Sequence, residues 1–378
     1  MLARNRGVVF LAWRELSFAR IRFLLMGAVV ALISVLVILL SGLSTGLVND
    51  GVSGLQRIPA DAFAFAAGTK TDSAFTRSTV SLAQVDTWKA QPGVDDAAAL
   101  GTSLVNTAGP RGPVDLALFG VVPGSFVAPP VERGTPVGAD DGIVVGSSAG
   151  LGVGDVLTID RLGTRLTVVG IASGQRTFGH VDIAYTPLPS WQRIHAGVAA
   201  GEALPASART AASVVALRTA PGADLAAGDA AAGTTSKSRT AAYHASPGFT
   251  AETGTMTLIQ VFLYAIAALV VGAFFTVWTI QRRGELAVLR AMGASTRFLL
   301  VDSLLQATVV LVGATLVGTA VGVAAGQALG SGSAPFALEA APVLTAAGLV
   351  IGLGLVGAGT AVLRVVRTNP LAALGAAR

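Results

Sequence analysis

Cysteine is absent from this chain of 378 residues, and charged residues make up only 12% of it. Without a thiol the chain can form no disulfide, no cysteine metal site and no cysteine nucleophile. A Gly-Lys dipeptide is also missing, so the sequence has no P-loop with which to bind and hydrolyse ATP. The chain is 52% apolar with a mean hydropathy of +0.68, which is typical of a membrane protein.

The histidines and serines form no recognisable catalytic or metal-binding pattern. His180, His195 and His244 show neither an HExxH motif nor metal-ligand spacing, so we expect solvated or hydrogen-bonded structural roles. His244 differs in lying shortly before the second apolar stretch, where a side chain could face a ligand. Ser148 fits the G-x-S-x-G pattern, but a plain turn is favoured because no catalytic histidine can be identified.

Four apolar stretches are long enough to cross a bilayer, which takes about 20 residues of α-helix. The predicted transmembrane helices are 23–48, 258–280, 298–329 and 343–363. The segments that flank and connect them are 1–22, 49–257, 281–297, 330–342 and 364–378. Asp302 lies near the start of the third helix, where we expect it to stay hydrated at the interface.

The placement of arginine predicts the orientation in the membrane. Arginines are concentrated in 1–22, 281–297 and 364–378, whereas 330–342 has no Lys or Arg. The positive-inside rule therefore places both termini in the cytoplasm and 49–257 outside. The sequence has no basic, aromatic-interleaved patch of the kind that binds nucleic acid. We predict a multi-pass protein of a bacterial cell membrane.

The external segment has the pattern of a β-rich domain, with short apolar and β-branched runs bounded by glycine. A short helix is expected at 81–90, with Ser81 as its cap. Residues 196–246 are rich in small residues, and we expect a loosely packed region or linker. Strands are expected at 61–67, 114–121, 156–160, 164–171 and 213–217. The predicted fold class is an α+β membrane protein, with four transmembrane helices and a β-rich extracellular domain inserted between helices 1 and 2.

The loop 281–297 combines basic charge with helical amphipathic spacing. Its apolar positions include Leu286, Leu289 and Met292, and Gly293 is expected to end the helix. A loop that needed charge alone would need no apolar face, so we interpret this one as a docking helix. The segment 1–22 is also amphipathic, with aromatic side chains suited to a membrane interface. The polar positions of the docking helix are Arg282, Arg283, Glu285 and Arg290.

Glycines four residues apart occur in three of the apolar stretches, where they let helices approach closely in lipid. Packing within one subunit is our interpretation for those of the third and fourth stretches, which are Gly318, Gly322, Gly326, Gly348 and Gly352. Gly42 and Gly46 in the first stretch are instead predicted to lie at a dimer interface, partly because of a family resemblance.

The chain resembles the MacB/FtsX-like ABC transporter permeases in the order of its segments and in four motifs. The motifs are 281–295 (QRRGELAVLRAMGAS), 367–374 (RTNPLAAL), 118–124 (LFGVVPG) and 152–158 (GVGDVLT). Asn369 departs from the pattern, because many members carry Asp before the proline. The segment 275–282 (FTVWTIQR) and the size of the external domain most resemble the haem-efflux (Hrt-type) permeases of Gram-positive bacteria.

The resemblance implies a homodimeric permease that contacts membrane lipid and works with two copies of a separate ATPase subunit. It implies no intrinsic cofactor, because the partner binds ATP and haem would be the substrate. Members act as mechanotransmitters, so the helix around 285–292 would be the coupling element. The segment 1–22 would lie along the inner membrane surface.

A haem exporter would need an apolar slot between two copies and polar or basic groups near the outer headgroups. By position, the outer ends of the first two transmembrane helices would supply them, and no metal ligand is assigned. An ordinary interface role is the alternative for each candidate. The candidate substrate-binding residues are Asn49, Asp50, Arg57, His244, Glu252, Met256, Phe262 and Tyr264.

Our leading interpretation is a non-catalytic permease subunit that expels an amphiphile, above all haem, from the membrane. Efflux of a drug, a peptide or a lipid is the alternative within transport. The alternative from another class is a non-transporting signalling protein whose external domain activates a cell-wall hydrolase or a sensor kinase.

Replacing Glu285 and Arg290 together by alanine tests the docking interpretation. We expect ATP-dependent export to be lost while membrane insertion stays intact, because the substitution removes two of the four charged positions of the helix and leaves the apolar stretches unchanged. Vesicle export assays and membrane fractionation measure the two properties. Unchanged export by this double variant would remove the docking interpretation.

Overall fold

The computed structural model describes residues 20–138, 142–281, 284, 288, 292–330 and 335–366. The chain forms two compact units. We call Met1–Gly46 together with Thr255–Arg378 the membrane unit, and Leu47–Gly254 the sheet unit. Nearly all of the predicted N-terminal segment and most of the C-terminal tail lie outside the described residues.

Four long helices are apolar enough to cross a membrane by length and composition. They are α1 (Arg20–Gln56), α2 (Phe249–Gln281), α3 (Thr296–Gly330) and α4 (Ala340–Val366). Each contains one predicted transmembrane helix, but α1 continues beyond residue 48 and α2 begins before residue 258. Apolar composition marks only the part of a helix that suits lipid, whereas a helix continues where tertiary packing buries one face.

Close helix packing in the membrane unit depends on glycine. A Cβ atom at Gly318 of α3 would collide with the carbonyl oxygen of Ala31 on α1, and Gly322 also packs against α1. The predicted packing role is therefore confirmed for these glycines of α3. It is wrong for Gly348 and Gly352 of α4, since a Cβ there would meet no described atom of a neighbouring element within 4 Å.

Asp302 is buried rather than hydrated. It is only 6% exposed, and one of its carboxylate oxygens accepts a 3.0 Å hydrogen bond from the side-chain amide of Gln306. The two residues are four apart and share one face of α3. The prediction of a hydrated carboxylate is wrong because neighbouring protein covers this face, as is usual for polar residues of membrane helices.

The sheet unit contains one large sheet and one small sheet. In chain order, the strands are β1 (Ala62–Ala66), β2 (Val80–Ser81), β3 (Val94–Gly109), β4 (Gly112–Val121), β5 (Arg133–Gly134), β6 (Gly142–Gly146), β7 (Val156–Ile159), β8 (Arg165–Ala172), β9 (Thr177–Phe178), β10 (Val181–Pro187), β11 (Ala211–Ala212), β12 (Val214–Thr219) and β13 (Thr234–Ser238).

The large sheet has the order β13-β1-β12-β3-β4-β10-β6-β8-β5, with β7 pairing β3 and β8, and β9 pairing β10. Neighbouring strands are antiparallel except for the parallel pairs β4–β10 and β6–β8. Strands β2 and β11 form the small sheet. A mixed sheet inserted between α1 and α2 confirms the predicted fold class of four transmembrane-type helices with a β-rich domain.

Alternate residues of a strand point to opposite faces of a sheet. In the large sheet, both sets of residues are buried, so both faces are covered. On one face, Phe63 and Phe65 contact Phe75 edge to face, with ring centroids 5.4 and 5.0 Å apart. On the other face, Trp88 and Trp191 each belong to a short helix and are fully buried between that helix and the sheet. The short helices of this unit are Ala74–Arg77, Leu82–Lys89, Leu188–His195, Ala206–Arg209, Leu225–Ala232 and Arg239–Ala242.

All five predicted strands are present as β1, β4, β7, β8 and β12, and the predicted helix begins with the expected cap. The backbone nitrogen of Ser81 donates to Gln84 Oε1 at 2.8 Å, and the Ser81 hydroxyl accepts from the Gln84 nitrogen. The prediction of a loosely packed region or partial linker at 196–246 is wrong, because besides the predicted β12 this segment supplies β13, and both strands pair with β1. Small side chains weaken the alternation of apolar and polar residues by which a strand is predicted. They nevertheless pack closely within a sheet.

Two facing glycines form a seat for a tryptophan on the sheet. Gly101 on β3 lies directly opposite Gly120 on β4. A Cβ atom at either position would collide with Trp191. The indole nitrogen of Trp191 donates a 3.0 Å hydrogen bond to the hydroxyl of Ser103, so the ring is fixed at both its face and its edge.

Gly101→Ala should destabilise the folded chain by about 1–3 kcal/mol, because the added methyl group overpacks the tryptophan seat. Gly254→Ala is the matched control, since its Cβ would have no described neighbour within 4 Å. Thermal unfolding of the full chain in detergent, followed by near-UV circular dichroism, compares the two. Equal melting temperatures for the two variants would contradict the seat.

Candidate functional site

His180 lies between two carboxylates in the sheet unit. Its Nδ1 atom is 2.9 Å from Asp50 Oδ2, and its Nε2 atom is 2.7 Å from Glu252 Oε2. Asp50 belongs to α1, Glu252 lies in the first turn of α2, and His180 lies in the turn between β9 and β10. We call these three side chains the histidine clasp. It brings together two of the predicted substrate-binding residues around a histidine that the sequence did not single out.

The backbone of the β9–β10 turn positions the imidazole ring. Gly179 and His180 have φ values of +58° and +67° and form a two-residue hairpin loop, which favours left-handed residues. Histidine tolerates this conformation better than most residues, though at a cost of about 1–2 kcal/mol. The Gly179 nitrogen donates a 2.9 Å hydrogen bond to the carbonyl oxygen of Gly51, which fixes the turn against α1.

The two carboxylates favour the protonated form of His180. Burial by itself lowers the pKa of His180, but the hydrogen bonds to Asp50 and Glu252 and the charges of both raise it above its ordinary value. Asp182 lies nearby on β10, where burial raises its pKa, a 2.9 Å hydrogen bond from Ser148 opposes the rise, and the charge of Asp50 adds to it. The clasp is therefore an acidic cluster with one titrating base.

Asn49 and Arg57 border the clasp without joining it. The carbonyl oxygen of Asn49 accepts a 3.4 Å hydrogen bond from the Thr177 hydroxyl. The Arg57 Nε atom donates to the Gln175 carbonyl oxygen at 2.9 Å, and the Gln175 amide donates to Asp50 Oδ1 at 3.0 Å. Arg57 is exposed, so its charge faces solvent beside the clasp.

The remaining predicted substrate-binding residues belong to both units. His244 is exposed in the sheet unit, with its Nδ1 atom 3.2 Å from the Thr250 hydroxyl. Met256, Phe262 and Tyr264 belong to the membrane unit on α2. Phe262 is 60% exposed, whereas Tyr264 packs against the buried core of that unit. Their assignment to a substrate site stays a prediction.

His195 makes structural contacts in the sheet unit. His195 Nδ1 lies 2.9 Å from the Ser103 hydroxyl, and its ring stacks on Trp191 with centroids 4.5 Å apart. Burial lowers the pKa of His195. The structural role predicted for this histidine is confirmed. Among the described residues, no group of three or more potential ligands is arranged to hold a metal ion.

Two apolar grooves run along α1 in the membrane unit. The first, of about 400 Å³, lies between α1 and α2, and its lining includes Leu25, Met26, Val29, Val270, Phe274 and Trp278. The second, of about 620 Å³, lies between α1 and α3, and its lining includes Gly27, Ala31, Val310, Gly313 and Val317. Both volumes fall in the range typical of small-molecule sites, about 300–1,000 Å³.

Gly42 and Gly46 pack against the loop between α3 and α4. A Cβ atom at Gly42 would collide with the Phe336 ring, and one at Gly46 would collide with the backbone of Pro335. The Ala337 nitrogen donates a 3.1 Å hydrogen bond to the carbonyl oxygen of Gly42. Contacts within one chain thus account for both glycines, and their place at a dimer interface stays a prediction.

Most of the predicted docking helix lies outside the described residues, namely Arg282, Arg283, Glu285, Leu286, Leu289 and Arg290. Of the eight residues assigned to coupling with the ATPase, Met292 and Gly293 are described. Met292 is 71% exposed, and its backbone nitrogen donates to the Val288 carbonyl oxygen at 3.0 Å. Gly293 has a φ of +96°, a conformation that glycine adopts readily after a helix.

The described residues define a class of protein: a membrane protein with four helices able to cross a bilayer and a β-rich unit inserted between the first two. Residues 23–235, more than half of the chain, match the family model of the MacB-like periplasmic core domain. Residues 257–370 match that of the FtsX-like permease C-terminal domain. The chain belongs to the MacB/FtsX-type permease family of ABC transporters, and its sheet unit is an extracellular domain.

Named relatives are staphylococcal. The chain is 28% identical over 127 residues to a protein of Staphylococcus epidermidis (strain RP62A) named as a candidate hemin transport system permease protein, HrtB. It is 31% identical over 130 residues to a protein of the same name from Staphylococcus haemolyticus. Each match covers 34% of this chain and 36% of the relative, so it spans about a third of either protein.

Two solved extracellular regions are similar to this chain at low identity. The periplasmic region of MacB from Actinobacillus actinomycetemcomitans is 10% identical, with a TM-score of 0.34, covering 49% of this chain and 92% of that one. The extracellular domain of the noncanonic ABC-type transporter YknZ from Gram-positive bacteria is 11% identical, with a TM-score of 0.32, covering 46% and 89%.

A pair of substitutions tests whether Gly42 is needed for packing against Phe336 or for a dimer interface. Gly42→Ala should destabilise the membrane unit, because the methyl group collides with Phe336. Adding Phe336→Ala to the same chain should restore stability, since the smaller side chain makes room. Melting of the full chain in detergent and its oligomeric state are both measured. A dimer that is lost in Gly42→Ala and stays lost in the double variant would support the interface instead.

Proposed function

We propose that this chain is the permease subunit of an ABC-type efflux pump that expels an amphiphile from the membrane, with haem as the first candidate. Family membership supports the class of activity, because permeases of this family are generally non-catalytic membrane subunits. The staphylococcal relatives, which are named for hemin transport, support the choice of haem over other amphiphiles.

The apolar groove between α1 and α2 is the observation that carries the proposal. A substrate that arrives dissolved in lipid needs an apolar entry between helices, where its hydrophobic body can leave the bilayer without crossing water. Phe274 and Trp278 offer aromatic surfaces in this groove, and Gln281 supplies a polar group. In the predicted orientation this end of the helices is cytoplasmic, so the groove would be an entry that is separate from the predicted outer site. A flat aromatic molecule with a polar edge suits such a lining.

The proposal requires an external source of energy, because the sequence has no P-loop. We assign this role to two copies of a separate ATPase subunit that bind ATP and dock on 281–297. The chain itself would act as a homodimer with both termini in the cytoplasm, and movements of its helices would carry the work to the extracellular domain. The concentration of arginine in 1–22, 281–297 and 364–378 supports this orientation.

Filling the groove should block export. Val270→Trp places a bulky ring in the lining of the α1–α2 groove, and we expect about tenfold slower ATP-dependent export for a loss of about 1.4 kcal/mol of substrate binding. Val321→Trp is the control, because Val321 is an exposed position of α3 outside the described lining of both grooves. Export at equal rates in the two variants would exclude the groove as the entry.

Haem binding is measured by optical titration of the purified full chain in detergent. We expect a saturable Soret shift that Val270→Trp weakens and Val321→Trp preserves. Absence of any saturable shift would reject haem, and saturable binding of a drug, peptide or lipid instead would support the wider efflux alternative. Co-purification of a cell-wall hydrolase or sensor kinase, with no transport of any amphiphile, would support signalling.

A further inference from the structure

We propose that the histidine clasp is a proton-controlled joint: the protonated imidazole of His180 holds Asp50 and Glu252 together, and loss of its proton releases one of them. The joint links two helices through the extracellular domain, since Asp50 belongs to α1 and Glu252 begins α2. It is a property of the fold that needs no bound substrate.

The hydrogen-bond inventory of imidazole explains the release. Both ring nitrogens of His180 lie within 3 Å of a carboxylate oxygen, at 2.9 and 2.7 Å. A protonated ring donates from both nitrogens, whereas a neutral ring has one donor and one lone pair. After deprotonation that lone pair would face a carboxylate oxygen, and two acceptors at this distance repel each other. One carboxylate therefore moves away.

The charged surroundings of His180 are supplied by three elements. Helix α1 supplies Asp50, and the exposed Arg57 follows directly after its last residue. Helix α2 supplies Glu252, and β10 supplies Asp182, whose pKa responds to the charge of Asp50. The described ion pairs of the chain are the two that His180 makes. With the carboxylates of Asp50 and Glu252 in contact with one base, the cluster favours a proton on the imidazole.

The direction of the pH dependence follows from the raised pKa of His180. A group whose pKa is raised in the folded state stabilises that state fully below its ordinary pKa. This stabilisation is lost as the pH rises through the raised value. The ordinary value for His180 is 6.5, so the clasp is closed in mild acid and opens at a higher pH than 6.5.

The left-handed turn at His180 makes the joint sensitive to the protonation of the imidazole. His180 occupies a left-handed conformation, and its two ion pairs oppose the cost of that conformation while the ring is charged. Gly51 of α1 packs beside the ring, since its Cβ would lie 3.8 Å from His180 Cε1. When one ion pair is lost, the remaining contact no longer connects α1 to α2 through this ring.

The predicted consequence for transport rests on the proposed function. If α1 and α2 must separate at their outer ends during export, a closed clasp slows the cycle. Export should therefore be slower with acid outside and faster as the external pH rises. The His180→Asn variant should not show this slowing of export in acid. Asparagine cannot bridge the two carboxylates, but it tolerates the left-handed conformation.

Histidine-selective NMR of the full chain in nanodiscs measures the protonation directly. The chain has three histidines, so three imidazole signals are expected, and His180→Asn identifies the signal of the clasp. We expect this signal to titrate with a midpoint above 6.5, whereas the midpoint of His195 lies below it. Asp50→Asn with Glu252→Gln should lower the His180 midpoint. A wild-type His180 midpoint at or below 6.5 would overturn the proposal.

Spin labels measure whether the joint opens. The chain has no cysteine, so Gln56→Cys on α1 and Gly254→Cys on α2 can be labelled in an otherwise unchanged background. We expect one narrow distance distribution at about pH 5.5 and a broader or second one at about pH 8.5, the two sides of histidine titration. The His180→Asn variant should give the alkaline distribution at both values.

Two variants separate the clasp from neighbouring titrations. His244→Asn and Asp182→Asn should each retain the pH-dependent distance change, because neither residue bridges the two helices. Identical distributions at both pH values in the wild-type chain would overturn the proposal, as would a change that persists in His180→Asn. These measurements use neither haem nor the ATPase, so their outcome does not depend on the proposed function.

Discussion

The burial of the last turns of α1 in the extracellular domain is the contact on which the other features depend. Val52 and Leu55 are fully shielded from solvent in the aromatic core on one face of the sheet. Gly54 lies so close to Ile183 of β10 that a side chain there would collide. Because α1 is unbroken from Arg20 to Gln56, one helix carries a membrane-spanning sequence and part of the domain core. Any tilt or rotation of these turns must therefore involve the sheet they pack on.

That constraint gives the clasp and the grooves a common element. Asp50 of the clasp belongs to α1, and so do Met26 and Ala31, which line the two grooves. Buried packing holds the end of α1 at all pH values, whereas the clasp is a polar contact that one proton can weaken. Phe249 at the start of α2 is buried in the same core, so the clasp adds a proton-dependent contact at Glu252 to the packing of both helices.

Sequence patterns predicted those elements whose composition is distinctive. Long apolar stretches marked all four helices, and β-branched runs such as 164–171 marked strands. The Ala-rich strand β3 was not predicted, because alanine has little strand preference and its burial here depends on neighbours distant in sequence. The clasp was only half predicted: Asp50 and Glu252 were named by position, but His180 was not. Its only local signal was the Gly179-His180 hairpin loop, and the meeting with α1 and α2 is a tertiary event.

The central claim is that this chain moves an amphiphile out of the membrane when a separate ATPase drives it. Reconstitution of the full chain with its partner ATPase in proteoliposomes, with haem dissolved in the lipid, measures this directly. The account predicts haem release to the outer solution only when the chain, the ATPase and ATP are all present. ATP hydrolysis by a stable complex that leaves haem and every other tested amphiphile in the lipid would contradict it.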